Sequence, residues 1–257
     1  MDILRKELNA IYAAQRLEAE NLPQSAVGEV RRLAEAVVKV RGGCAVITDA
    51  SCDRCYIFPG KFGQLMGLAD AEQPVIEVNS SDEDEIYGLI HPEDLVDKRF
   101  LEYEFFRQTD GLDSQAKPGR KAVCRLRMRD KCGAYRYVDN STQIVGLSPA
   151  GKIWLILCLY DISPYQDTDH GIDPRIVDNI RGAVTKLTFD TRRRHVLSDR
   201  EKEVLKLIRD GRPSKQIADM LGISIHTVNR HRQNIIAKLS VGNSIEAVTA
   251  AVAMKLL

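Results

Sequence analysis

The chain has 257 residues, 44% hydrophobic and 28% charged, which is length for two domains and apolar material for a core in each, and this excludes a disordered chain. The net charge of +1 conceals a polarity: from Arg192 onward there are 13 Lys and Arg against 6 Asp and Glu, leaving 24 against 30 elsewhere. A basic end on an acidic body is the footprint of a nucleic-acid-binding module joined to something else.

From Asp2 to about Arg41 the pattern is helical, with Leu4, Leu8 and Ile11 in a first segment and Val27, Val30, Ala34, Val37 and Val38 after a break at Pro23. Such stripes pack on a neighbouring domain or on a second copy of the chain, so a homodimer is expected. Met1 to Leu22 alternates charged with apolar residues and has neither a membrane span nor a signal-peptide core, so no membrane partner and a cytoplasmic location are expected.

Between Gly42 and Pro164 the period changes to two. Runs at Ala45–Thr48, Cys55–Phe58, Ala122–Met128, Ala134–Val145 and Ile153–Tyr160 predict strands of an antiparallel sheet. In the third run Cys124, Leu126 and Met128 alternate with Arg125, Arg127 and Arg129, one face buried and the other solvated. Helices are predicted between the second and third strands, over Lys61–Leu68, Asp82–Leu89 and Pro92 to about Gln108.

The six cysteines are expected as free thiols in a chain without a secretion signal, with Cys124 and Cys158 in the core. Cys52 and Cys55 form the one closely spaced pair; a thiol-redox or metal-sensing role is the alternative reading, but the second ligand pair a structural zinc site needs is not evident.

Two strands, several helices, then three long strands is an order that resembles a PAS sensor domain. Ile90-His-Pro-Glu-Asp94 is similar to a helix start common in that family, and Asp161-Ile-Ser163 to the end of its last strand. The resemblance covers about Arg41 to Pro164 and implies a signal-relay role for Asp161, against the alternative of an ordinary turn residue. The flavin-binding motif of the family is not found, and His91, directly before Pro92, reads as a helix cap instead of a haem ligand. No cofactor and no metal are therefore expected. A small-molecule ligand between sheet and helices and an empty, dimerising domain both stay open.

Tyr165 to His195 reads as a linker, a polar loop followed by a helix from Pro174 to Leu187 and then the basic triplet Arg192-Arg-Arg194. The triplet lies either against DNA phosphate or in solvent.

The remaining residues predict four helices. Ser198 with Glu201 is a capping box for a helix with Val204, Leu205 and Ile208 inward and an end at Gly211. Pro213–Leu221 is a short helix stopped by Gly222. Ser224 caps a helix to Leu239 in which Val228, His231, Ile235 and Leu239 share an inward face, leaving His226, Asn229, Arg230, Gln233 and Asn234 outward. Asn243 with Glu246 opens the last helix, whose Ile245, Val248 and Val252 are candidate dimer contacts. Two short helices about a tight Gly turn make a helix-turn-helix, and the outward amides and guanidinium are groups that reach base edges in a major groove.

Leu197-Ser-Asp-Arg-Glu-Lys-Glu-Val-Leu205, Lys215-Gln-Ile-Ala218, Thr227-Val-Asn-Arg-His231, Ile235-Ile-Ala-Lys-Leu239 and Asn243-Ser-Ile-Glu-Ala-Val248 together resemble the LuxR-type DNA-binding domain. The resemblance implies base contacts from Asn229, Arg230 and Gln233 and backbone contacts from Lys215, Thr227 and Lys238. A Lys is common in the family where Asn229 stands, so no sequence preference carries over.

The fold expected is α+β: N-terminal helices (1–41), a PAS-like antiparallel-sheet domain (42–164), a linker (165–195) and an all-α four-helix LuxR-type domain (196–257). The function expected is that of a non-enzymatic transcriptional regulator with double-stranded DNA, a second copy and RNA polymerase as candidate partners. A response regulator would need a phospho-acceptor Asp pair on a doubly wound α/β half, which the pattern lacks. A sigma-factor-like promoter-binding protein would need a second basic, aromatic-rich helical region.

Overall fold

The computed structural model describes residues 3–69, 75–81, 83–167, 171–188, 197–239, 241–253 and 256–257. They divide into two compact units, residues 8–187 and residues 188–257 grouped with 1–7. No single described helix is long and apolar enough to cross a membrane.

The larger unit is a mixed helix and antiparallel-sheet domain. It contains α1 (Ile3–Ala14, whose first residues belong to the other unit) and α2 (Gln24–Arg41), then β1 (Cys44–Asp49) and β2 (Arg54–Phe58). After these come α3 (Gly60–Met66), β3 (Ile76–Val78), α4 (Asp84–Tyr87) and α5 (Pro92–Asp110). The long strands β4 (Arg120–Arg129), β5 (Tyr135–Leu147) and β6 (Ile153–Ile162) follow, and then β7 (Arg175–Asp178) and β8 (Ala183–Lys186). All eight strands form one sheet in the order β3-β2-β1-β6-β5-β4-β7-β8, every pairing antiparallel. The five strands and three helices read from the sequence are present within a few residues of the expected bounds.

β1 is buried along its whole length because both faces of the sheet are covered there. On one face Leu17 and α2 residues Val27, Val30 and Ala34 pack with Ala45, Ile47, Tyr56, Phe58, Leu155 and Leu157. The alternate residues face α3, whose Phe62 ring lies 6.5 Å from that of Tyr160. α2 stops at Gly42, which takes the left-handed conformation at φ 72°. At Gly43 a Cβ would lie 2.2 Å from Asp161 Oδ1 and 2.6 Å from the Tyr160 carbonyl, so only glycine lets β1 approach β6 so closely there.

The helix expected over Pro174–Leu187 is not formed; the segment is the β7–β8 hairpin. Ile176, Val177, Val184 and Thr185 are β-branched and suit paired strands. Asp178 Oδ1 accepts from the Ile180 and Arg181 amides at 3.0 Å, and Gly182 at φ 66° completes the turn. The exposed flank of β4 supplies the partner, with Lys121 opposite Val177 and Ala122 opposite Ile176. Part of the expected linker is thus sheet. The triplet Arg192–Arg194 lies outside the described residues.

The interior on the α5 side is polar in a way the sequence pattern did not announce. Lys98 is 0% exposed and pairs with Glu102, four residues on, which is itself buried. Tyr87 Oη donates to Glu102 at 3.1 Å, and Lys98 Nζ lies 4.5 Å from the Tyr87 ring centre. Glu83, also buried, accepts from Tyr160 Oη at 2.7 Å. Two carboxyls thus lie about the Lys98 ammonium, and the buried Arg99 guanidinium also acts on Glu102. Burial raises the Glu83 pKa, Lys98 pulls it back and Glu102 raises it again, for a net rise above the usual glutamate value.

A pKa raised on folding gives stability that is complete below the ordinary glutamate value and lost as pH rises through the folded-state value. Glu83→Gln, which mimics the protonated acid, is therefore expected to gain stability over the native chain as pH rises above the ordinary glutamate value. Lys98→Met, which leaves Glu102 buried without the Lys98 ammonium, is expected to lose about 3–5 kcal/mol. Thermal and urea melts of both variants at increasing pH above that value check this; a Glu83→Gln difference that does not change with pH would contradict it.

Candidate nucleic-acid interface

The C-terminal part of the smaller unit contains α6 (Asp199–Arg209), α7 (Ser214–Leu221), α8 (Ile225–Leu239) and α9 (Ser244–Ala253). Its core is Leu197, Val204, Leu205, Ile217, Ala218, Val228, Ile235, Ala247, Ala251 and Leu256, all buried. α6, α7 and α9 each pack against α8.

Local chemistry sets each helix end. Ser198 Oγ accepts from the Glu201 amide and Glu201 Oε2 accepts from the Ser198 amide at 2.8 Å, the reciprocal capping box read from the sequence. α7 ends at Gly222, left-handed at φ 63°, and Arg200 Nη2 donates to the Leu221 carbonyl there at 2.5 Å. Ser224 Oγ accepts from the Thr227 amide at 3.0 Å, starting α8 at the end of a three-residue turn. Asn243 Oδ1 accepts from the Glu246 amide at 2.9 Å, starting α9.

This geometry fixes which side of α8 is left over. Val228 and Ile235 are turned into the core, while His226, Asn229, Arg230, Gln233 and Asn234 are exposed together on the opposite side. Lys215 is exposed in the first turn of α7. Thr227 is half-buried and shares a hydrogen bond with Ser224 Oγ at 2.8 Å. Lys238 donates to Glu201 Oε2 at 2.6 Å, so its charge is engaged inside the unit. His231 is half-buried, and its Nδ1 is withdrawn from solvent with no hydrogen-bond partner among the described residues.

Two ties were not read from the sequence. One is Lys238 to Glu201, which adds the end of α8 to the capping box of α6. The other is Arg232, which donates to Ser214 Oγ at 3.0 Å and to Ser244 Oγ at 3.1 Å. The signal for the second was a charged residue four after Val228 and three before Ile235, on the side that packs.

In the larger unit Asp161, at the end of β6, accepts an ion pair from Arg41 at 2.6 Å and faces Asp139 across the strand pair; Asp139 is held by Arg125 at 3.0 Å. His91 caps α5 as expected, its Nδ1 accepting from the Glu93 amide at 3.3 Å. His91, Glu93 and Asp94 lie close enough to share a metal ion, but Arg127 already bonds Glu93 at 2.7 Å and Asp94 at 2.6 Å, so both carboxylates are engaged by a cation of the chain itself. Cys52 is exposed and Cys55 buried. Partial burial and Asp49 push the Cys52 thiol up, the wrong direction for a reactive thiolate.

Residues 195–251 match the family model described as "Bacterial regulatory proteins, luxR family". The smaller unit is thus a LuxR-type helix-turn-helix domain. The chain is 47% identical over 58 residues to "Uncharacterized response regulatory protein YgeK" of Escherichia coli, covering 23% of this chain and 40% of that one. It is 51% identical over 53 residues to "Transcriptional regulatory protein DesR" of Bacillus subtilis, covering 21% and 27%. The chain therefore spans less than half the length of these curated relatives. Among solved structures, the "phage VqmA-DPO complex" superposes with a TM-score of 0.27 at 18% identity, over 91% of this chain and 94% of that one. The Vibrio cholerae VqmA dimer gives 0.28 at 19%, over 85% and 86%. Both superpositions are too loose to carry an inference.

Burial alone would raise the Glu201 carboxyl, but hydrogen bonds from Lys238 and Ser198 outweigh it and hold its pKa below the usual glutamate value. Such a group contributes stability above the ordinary value and loses it as pH falls through the depressed one. Glu201→Gln should cost about 2 kcal/mol near neutrality and less as the solution is acidified. Amide hydrogen exchange of α6 and α8 reads this directly, and equal exchange in both proteins near neutrality would count against the tie.

Proposed function

We propose that this chain is a transcriptional regulator that reads double-stranded DNA through α8, under the control of the sheet-bearing unit. The observation that carries the proposal is the outward side of α8, where three amides, an imidazole and a guanidinium project from the second helix of a LuxR-type helix-turn-helix. Asn229, Arg230 and Gln233 read base edges. Lys215, in the first turn of α7, holds the phosphate backbone. Thr227 is a second backbone candidate through its position at the start of α8, and Lys238 serves the backbone only by giving up its bond to Glu201.

The action is binding and not catalysis, and it takes place in the cytoplasm. One helix-turn-helix reads only a few base pairs, so the working species is a homodimer on two half-sites. The exposed Ile245 and Val252 on α9, and Leu33 and Val40 on α2, are the surfaces that support pairing. The larger unit is a PAS-like sensor, a reading supported by its antiparallel sheet with helices inserted between β2 and β4. Its polar interior around Lys98 favours a small-molecule signal. Asp161 relays that signal, because its pair with Arg41 couples the last long strand to the end of α2. RNA polymerase is the protein partner such a regulator addresses.

Titration of single variants on a duplex selected from a random pool, and on its scrambled counterpart, tests the assignment. Replacing Asn229, Arg230 or Gln233 by Ala should cost roughly 1–3 kcal/mol on the selected duplex and much less on the scrambled one. Lys215→Ala should weaken both alike and reduce the salt slope by about one contact. An unchanged preference in all three α8 variants would refute the base-reading role.

A further inference from the structure

Arg232 leaves α8 from the packed side, between Val228 and Ile235, and its guanidinium is forked. Nη1 donates to Ser214 Oγ at 3.0 Å and Nε to Ser244 Oγ at 3.1 Å. Ser214 is the first residue of α7 and Ser244 the first of α9. A single side chain thus joins three helices of the unit. Both acceptors stand at helix N-termini, where the backbone dipole and unpaired amides favour anions and oppose a cation. Attraction to the helix dipoles therefore does not account for an arginine here. What it supplies, and an apolar side chain of similar length would not, is a planar group whose donors point in fixed directions and hold two acceptors at a set angle. The apolar contacts of Val228 and Ile235 select the side of α8 that faces the core, but they are non-directional and do not set the fine rotation about its own axis within that side.

We infer that Arg232 is a positioning residue for sequence reading: it sets the rotation of α8 relative to α7 and α9 and does so without touching DNA. The inference rests on the proposed reading in which Asn229, Arg230 and Gln233 meet base edges. If α8 rolls, those three side chains swing away from their base edges, while Lys215 on α7 keeps its phosphate. Loss of the fork therefore removes discrimination and spares non-specific affinity, the reverse of what losing a phosphate contact does.

The test uses the full chain, the selected duplex and its scrambled counterpart, at two salt concentrations. The variants are Arg232→Lys, the pair Ser214→Ala with Ser244→Ala, and that pair combined with Arg232→Ala; circular dichroism verifies that each is folded. Lysine keeps the charge but lacks the fork. Both Arg232→Lys and the serine pair should lower the preference for the selected duplex about tenfold, with the salt slope unchanged. Adding Arg232→Ala to the serine pair should lower it no further, because the tie is already cut. An equal loss on both duplexes with a smaller salt slope would make Arg232 a phosphate contact and overturn the inference. So would an unchanged preference in folded Arg232→Lys and in the serine pair. A native chain that prefers no selected duplex to its scrambled form would overturn the DNA reading itself, and this inference with it.

Discussion

Val228 and Ile235 lie seven residues apart on one side of α8, and both are turned into a core shared with α6, α7 and α9. Seven residues are close to two full turns, so this one contact determines which side of the helix remains. The exposed side chains opposite it are the amides, imidazole and guanidinium. Had the apolar pair fallen two residues later, the same side chains would face the interior. A unit of this size has a small core, and directional ties supplement it: Glu201 with Lys238, Arg200 with the Leu221 carbonyl, and Arg232 with two serines.

The larger unit solves a different problem, since its central strands are covered on both faces. Towards α2 the covering is apolar. Towards α5 it includes a buried lysine, two buried glutamates and the Tyr87 and Tyr160 hydroxyls. Removing these charges from water is costly. The sheet and α5 are consequently tied by a network of buried charged and hydroxyl groups.

Much of this was legible in the residues, and the exceptions share a cause. Caps, stops and stripes are local, so Ser198 with Glu201, His91 before Pro92, Gly222, and the Val228–Ile235 side of α8 could be read directly. The alternation in β4 likewise announced a half-buried strand. What local pattern does not carry is the partner. Residues Pro174–Leu187 were expected as a helix because nothing in their own sequence reveals the free flank of β4 that accepts them as a hairpin. Lys98 and Glu102 look like a solvated i, i+4 pair on any helix until α5 is laid on the sheet. Lys238 has the charge for a phosphate, and only the fold shows it bonded to Glu201. Arg232 was passed over for the same reason, its two serines being 18 and 12 residues away.

The central claim is that the side of α8 opposite Val228 and Ile235 enters the major groove. A crystal structure of the full chain on its selected duplex tests it most directly. The account predicts Asn229, Arg230 and Gln233 within hydrogen-bonding distance of base edges, with Arg232 still bonded to Ser214 and Ser244 and away from the DNA. A complex with α8 outside the groove, or with His231 and Arg232 on the bases and Asn229 and Gln233 in solvent, would contradict it.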